Sequence, residues 1–370
     1  MSATRAIDLE DTEGLLGADR DGLLRAASSA GAQVRAIAAA VDEGALDPLR
    51  GNDRPRSVIW VAGRGTAETA GAMLSATLGG SASEPIALLA EVPPWVGPLD
   101  VLVVAGDDPG DPALVSAAST GVRRGARVVV VAPYEGPLRD STAGRVAVLA
   151  PRLWVPDEFG LCRYLAAGLA ALQIVDPRPN LDSQDLGALA DELDAEALRN
   201  SAGRELFTNP AKALAARMAG RRVALAGDSA ATLALARHGS ATLLRIGHEA
   251  VAATALADAV VALRAGGGTP SVDALFHDEE IDGPLPERLR LLVLTLSDER
   301  TVVAARVAGL DGVDLLAAQD VPDVTEPGEA PGEQAGPTGV GAAAGPAEQQ
   351  LAVLAVRVEM AAVYMRLARG

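Results

Sequence analysis

The chain has one cysteine, Cys162, and one lysine, Lys212, among 370 residues. A lone cysteine cannot build a disulfide framework, so the fold must rest on its apolar core. Aromatic residues make up 2% of the chain, and that core is therefore mostly Ala, Val and Leu. Nearly every positive charge is an arginine, and 32 basic residues face 49 acidic ones, a net charge of −17. Such a balance argues against binding nucleic acid, whose affinity comes from Lys and Arg neutralising phosphates. No run reaches the ~20 uninterrupted apolar residues of a spanning helix. The longest candidate, 351–367, is broken by Arg357, Glu359 and Arg366. The first residues carry acids and no apolar stretch like that of a secretion signal. A soluble protein of the cytoplasm, with no membrane and no nucleic-acid partner, is expected.

What is present is apolar periodicity in two halves. At roughly 100–200 residues per domain, the length predicts about two domains. Residues 8–48 place leucines and alanines at helical spacing and read as helices. Short apolar runs at 57–63, 86–92, 100–106 and 126–133 then alternate with helical stretches at 67–79, 112–125 and 158–175. Continuous apolar strands separated by helices predict a parallel sheet covered on both faces. A polar, proline-bearing stretch at 176–186 marks a boundary. After it come a helix at 209–220, a strand at 221–229, a long helix at 248–266 and further strands at 288–298 and 311–321. The expected fold class is α/β, two doubly wound parallel-sheet domains in tandem. The expected divisions are an N-terminal helical segment (1–50), a first domain (51–178), a second domain (179–322), a Gly/Pro/Ala-rich loop (323–346) and an amphipathic C-terminal helix (347–370).

The Gly-rich turn after the first strand runs Gly63-Arg64-Gly65-Thr66-Ala67-Glu68. Glu68 stands where a dinucleotide fingerprint needs its third glycine, and there is no P-loop lysine, so no nucleotide cofactor is expected. The turn still precedes a helix whose first N–H groups suit a phosphate. Three histidines and Cys162 lack zinc-ligand spacing, and the acidic run Asp278–Asp282 reads as a solvated loop; no metal is expected.

These turns, together with 100–114, 123–138, Asn209-Pro210-Ala211-Lys212, 247–255 and 276–283, resemble in their order the bifunctional phosphoglucose/phosphomannose isomerases. Members of that family carry two sugar isomerase domains. The resemblance implies a homodimer that binds a sugar phosphate or related carbohydrate derivative. It implies conversion of glucose 6-phosphate or mannose 6-phosphate to fructose 6-phosphate, with a carboxylate moving a proton between C2 and C1. Glu249 would be that proton shuttle and His277 the ring-opening group. Gly63, Arg64, Gly65, Thr66, Asp107 and Gly110 would hold the substrate.

The chain departs from the family at the phosphate loop. A Ser-Tyr-Ser-Gly-Asn-Thr-like segment is replaced by Asp107-Asp108-Pro109-Gly110-Asp111-Pro112, which has no hydroxyl. The family's Pro-Arg pair becomes Pro156-Asp157. Each lost hydrogen bond to a charged group is worth roughly 1.5–3 kcal/mol. The expectation therefore has two branches: an isomerase with a rewired phosphate site, or a catalytically degenerate binding, regulatory or scaffold protein. Arginines turned toward the crevice above 63–67 and 107–111 would favour the first.

Overall fold

The structure, a computed structural model, describes residues 6–51, 53–176, 185–267, 288–320 and 345–370. Three short helices open it: α1 (Thr12–Ala18), α2 (Leu23–Ala27) and α3 (Ala30–Asp42). Five strands follow: β1 (Ser57–Val61), β2 (Ile86–Leu89), β3 (Asp100–Ala105), β4 (Arg127–Val131) and β5 (Ala147–Val148). They pair in the order β2-β1-β3-β4-β5, every pair parallel. Helices α4 (Gly65–Leu78), α5 (Pro112–Arg123), α6 (Gly136–Thr142) and α7 (Leu161–Val175) connect or cover them. β1 and β3 are buried along their whole length, as their unbroken apolar runs require.

The second half adds α8 (Leu186–Arg199), α9 (Pro210–Met218), β6 (Val223–Gly227), α10 (Ala230–Arg245), β7 (Ala252–Ala255), α11 (Leu256–Ala262), β8 (Arg290–Leu294), α12 (Arg300–Val307) and β9 (Val313–Leu316). Its sheet runs β7-β6-β8-β9, again parallel throughout. One long helix, α13 (Ala347–Leu367), closes the chain. The fold class is therefore α/β with two doubly wound parallel sheets, as expected.

Two of the expected elements differ from the sequence reading. The long helix expected at 248–266 is the edge strand β7 followed by the shorter α11. Alanine favours helix, but Ala252–Ala255 pair residue for residue with Ala224–Gly227 of β6, and that pairing overrides propensity. The C-terminal helix is not amphipathic: residues 350–365 are all buried. It packs against α8, α9 and α10 of its own half and also against α4 and α7 of the other. The charges expected to face water are instead paired inside. Arg357 donates from Nε to Glu196 Oε1 at 2.7 Å, and from Nη1 and Nη2 to the carbonyls of Ala317 and Ala318 at 2.9 and 2.8 Å. Glu359 Oε1 lies 2.8 Å from His238 Nε2.

Packing at β1 depends on two glycines. The Trp60 indole lies between α4 and α7 and donates from Nε1 to the Ala67 carbonyl at 3.0 Å. A Cβ on Gly71 would stand 2.5 Å from Trp60 Cδ1, and one on Gly168 only 2.2 Å from Leu74 Cδ1. The Asn-Pro-Ala-Lys motif proves to be a helix start. Asn209 caps α9 by accepting from Lys212 N at 2.9 Å, with Pro210 in the first turn. Lys212 is fully buried; its Nζ donates to the carbonyls of Ala202 and Arg204, each at 2.8 Å.

Candidate functional site

Strand order reverses between β1 and β3: the chain leaves β1 toward β2, then returns to place β3 on the other side. In doubly wound sheets the crevice at the carboxyl ends of such a pair is where ligands bind. Here it is a cavity of about 470 Å³ lined by Gly63, Arg64 and Gly65 from the first turn and by Asp107, Asp108 and Asp111 from the second. Asp157 and Arg245 complete its polar wall.

Gly65, at φ +68°, turns the chain from β1 into α4, a conformation glycine adopts without strain. No side chain caps α4. Its first-turn N–H groups, at the positive end of a 14-residue helix, thus lie at the crevice without a side-chain acceptor. Thr66 does not line the crevice. It is buried, and its Oγ1 donates to the Asp157 carbonyl at 3.0 Å, fastening the 157 loop to the start of α4.

The acidic loop satisfies itself rather than presenting bare carboxylates. Asp108 Oδ1 accepts from Gly110 N at 2.8 Å, and Asp111 Oδ1 accepts from Ala113 N at 2.8 Å, capping α5. Gly110 is absent from the crevice wall. Arg64 Nη2 lies 3.5 Å from Asp111 and 3.7 Å from Asp108. Asp107 turns away toward α7, where Oδ1 accepts from Arg163 Nη2 at 2.8 Å and from the Tyr164 hydroxyl at 2.7 Å. Burial pushes the Tyr164 phenol well above its ordinary range, so it remains a donor. Arg245, at the end of α10, reaches across from the second half to Asp157 at 3.2 Å and Glu158 at 2.8 Å. Burial and the neighbouring Asp157 raise the Glu158 carboxyl despite Arg245.

Two guanidinium groups therefore stand at the crevice, Arg64 exposed and Arg245 half-exposed, each paired with a carboxylate that is mostly buried, Asp111 and Glu158. An anion seated at the α4 terminus would have beside it carboxylates able to accept from hydroxyls. Arg245 was not legible in the sequence because α10 itself was not; its only signal was a basic residue ending an Ala/Leu-rich stretch. Among the described residues no group of three or more His, Cys, Asp or Glu side chains is placed to hold a metal.

Of the two residues expected to carry catalysis, Glu249 is not brought to this crevice. Glu249 precedes β7, after His248 in a left-handed conformation at φ +53°. Its carboxylate pairs with Arg369, and it does not line the crevice. It is not a first-turn helix residue. His277 and the acidic run 278–282 lie outside the described residues.

No protein-family model matches the chain, and no curated protein sequence matches it. Solved structures do. The tagatose-6-phosphate ketose/aldose isomerase of Escherichia coli aligns over 99% of this chain and 96% of its own, with a TM-score of 0.59 at 14% identity. A candidate phosphosugar isomerase from Silicibacter pomeroyi DSS-3 aligns over 94% and 97%, with a TM-score of 0.59 at 16% identity. The C-terminal domain of glucosamine-fructose-6-phosphate aminotransferase from Francisella tularensis aligns over 95% and 98%, with a TM-score of 0.58 at 10% identity. These likenesses do not single out the bifunctional phosphoglucose/phosphomannose isomerases. At such identities they establish architecture: the chain has the tandem sugar isomerase domain fold of the phosphosugar isomerase structures.

Proposed function

We propose that this protein binds a sugar phosphate or related carbohydrate derivative in the crevice at the ends of β1 and β3. The observation that carries this reading is the convergence of Arg64, Arg245 and the uncapped start of α4 on one cavity. The phosphate would sit on the first-turn N–H groups between the two guanidinium groups. Sugar hydroxyls would donate to Asp108 or Asp157. The solved isomerases of the same fold support the ligand class by analogy.

The finer proposal is aldose–ketose isomerisation of glucose 6-phosphate or mannose 6-phosphate by a homodimer in the cytoplasm, with Glu249 as proton shuttle and His277 as ring opener. A specific observation favours the second reading, a catalytically degenerate binding or regulatory protein: the Glu249 carboxylate is tied to Arg369. Incubation with each sugar phosphate in deuterated water, followed by NMR, separates the two. Fructose 6-phosphate labelled at the exchanged carbon, and lost in Glu249→Gln, supports the isomerase. Binding without conversion supports the second reading. If neither sugar phosphate binds, or if Arg64→Ala and Arg245→Ala leave affinity unchanged, the crevice is not the phosphate site. Each substitution is expected to weaken binding roughly tenfold or more, the worth of a charge-assisted hydrogen bond. Light scattering at micromolar concentration tests the dimer; a monomer refutes it.

A further inference from the structure

A second cavity, of about 380 Å³, adjoins the first. Asp107 and Asp157 belong to the walls of both. Its other walls include Glu135, Arg152, Trp154 and Arg163. Three features of these residues point to a ligand.

Arg163 is 7% exposed, and its Nη1 has no hydrogen-bond partner among the described residues. Its Nη2 is held on Asp107 at 2.8 Å, and its guanidinium lies 4.2 Å from the Tyr164 ring centroid, so the group is fixed in place. A buried guanidinium nitrogen without an acceptor is costly, and an oxygen supplied by a ligand would relieve it. Trp154 is 92% exposed on the rim of the same cavity. An indole left in water beside a polar pocket is a ready stacking face for a sugar ring's C–H groups. Finally, the carboxylates of Asp107, Asp157 and Glu135 stand in the same wall. Carboxylates of this kind accept hydrogen bonds from hydroxyls.

The geometry points to a neutral sugar subsite: the ring stacks on Trp154, one of its oxygens accepts from Arg163 Nη1, and its hydroxyls donate to Glu135 or Asp157. This rests on the phosphate reading of the first crevice and extends it. The ligand would be larger than a hexose monophosphate, with the phosphorylated unit in the first cavity and a second ring, uncharged, in the next.

The test is calorimetric titration of the full chain with three probes: glucose 6-phosphate, maltose 6′-phosphate and maltose. The expected result is that maltose 6′-phosphate binds about tenfold or more tightly than glucose 6-phosphate, the gain from one hydrogen bond to a charged donor. Trp154→Ala should abolish that gain while leaving glucose 6-phosphate affinity within about twofold, because Trp154 does not line the first cavity. Arg163→Met, checked for folding by thermal melting, should abolish it as well. Equal affinity for the one-ring and two-ring phosphates, with Arg64-dependent binding of both, overturns the subsite and leaves the phosphate reading intact. Trp154-dependent binding of maltose without binding of either phosphate supports the subsite and overturns the phosphate reading. Binding of none overturns both. A Trp154→Ala change that dissociates an oligomer in light scattering and leaves sugar affinity unchanged also overturns the subsite, assigning the indole to a subunit contact.

Discussion

Replacing Arg357 with methionine removes the cation that ties α13 to α8 and to the loop after β9. Arg357 is 3% exposed and Glu196 is fully buried. Burial alone would raise the Glu196 carboxyl, but the charge and hydrogen bonds of Arg357, helped by Arg199 and Asn200, hold it below the usual carboxylate range. In Arg357→Met the carboxylate keeps Arg199 Nε at 3.1 Å and Asn200 Nδ2 at 2.7 Å, while the carbonyls of Ala317 and Ala318 lose their donors. Breaking a buried pair from one side typically costs about 3–5 kcal/mol. At about 2.1 cal/mol/K per residue of unfolding entropy, that lowers Tm by roughly 4–6 °C for a chain of this length. The pH dependence has a fixed sign. A carboxylate whose folded pKa is depressed adds stability above its unfolded value near 4.3 and loses it as pH falls through the folded value. The deficit of the variant should therefore be largest at neutral pH and shrink below about pH 4. Urea denaturation at pH 7 and at about pH 3 measures both. A variant within about 1 kcal/mol of wild type at pH 7, or a deficit that grows in acid, refutes the reasoning. Glu196→Leu combined with Arg357→Met should recover part of the loss, since it removes the stranded charge.

Two further outcomes are expected. Lys212 is buried, its amine pushed down by desolvation against the opposing pull of Glu10 and Asp8. Native acetylation read by mass spectrometry should therefore modify the α-amine alone, and Lys212 should react only after denaturation. Rapid native labelling of Lys212 would contradict its place under the 202–204 carbonyls. Gly168→Ala forces a methyl against Leu74 and Trp60 and should cost about 1–3 kcal/mol by overpacking in chemical denaturation. A neutral change would mean that α7 is not seated as described.

How much of the site was legible follows from what each residue depends on. Gly63, Arg64, Gly65 and Asp107 were readable because a Gly-rich turn and an acidic turn each follow an apolar strand, and such turns necessarily lie at a strand's carboxyl end. Thr66 and Gly110 share those turns but face elsewhere, because one hydroxyl anchors the 157 loop and one N–H closes on Asp108. Local sequence places a residue in a turn; it does not aim its side chain. Arg245 and Trp154 carried no motif at all, since their importance comes from what the packing of the two halves sets beside them.

Local patterning determined this protein's class. Apolar runs of four to six residues, separated by helical periods, can be satisfied only by strands buried on both faces. Composition likewise determined an aliphatic core. Tertiary structure decided the rest. It drew Ala252–Ala255 into a strand that isolated alanines would not form, because the pairing edge of β6 was available. It buried a C-terminal helix bearing Arg357 and Glu359 by supplying Glu196 and His238 as partners from distant segments. It also turned an acidic loop from a repulsive surface into one wall of a crevice by bringing Arg64 and Arg163 against it. Charge pairing of that kind acts over a few ångströms between residues as many as 345 positions apart, and no window of sequence contains it.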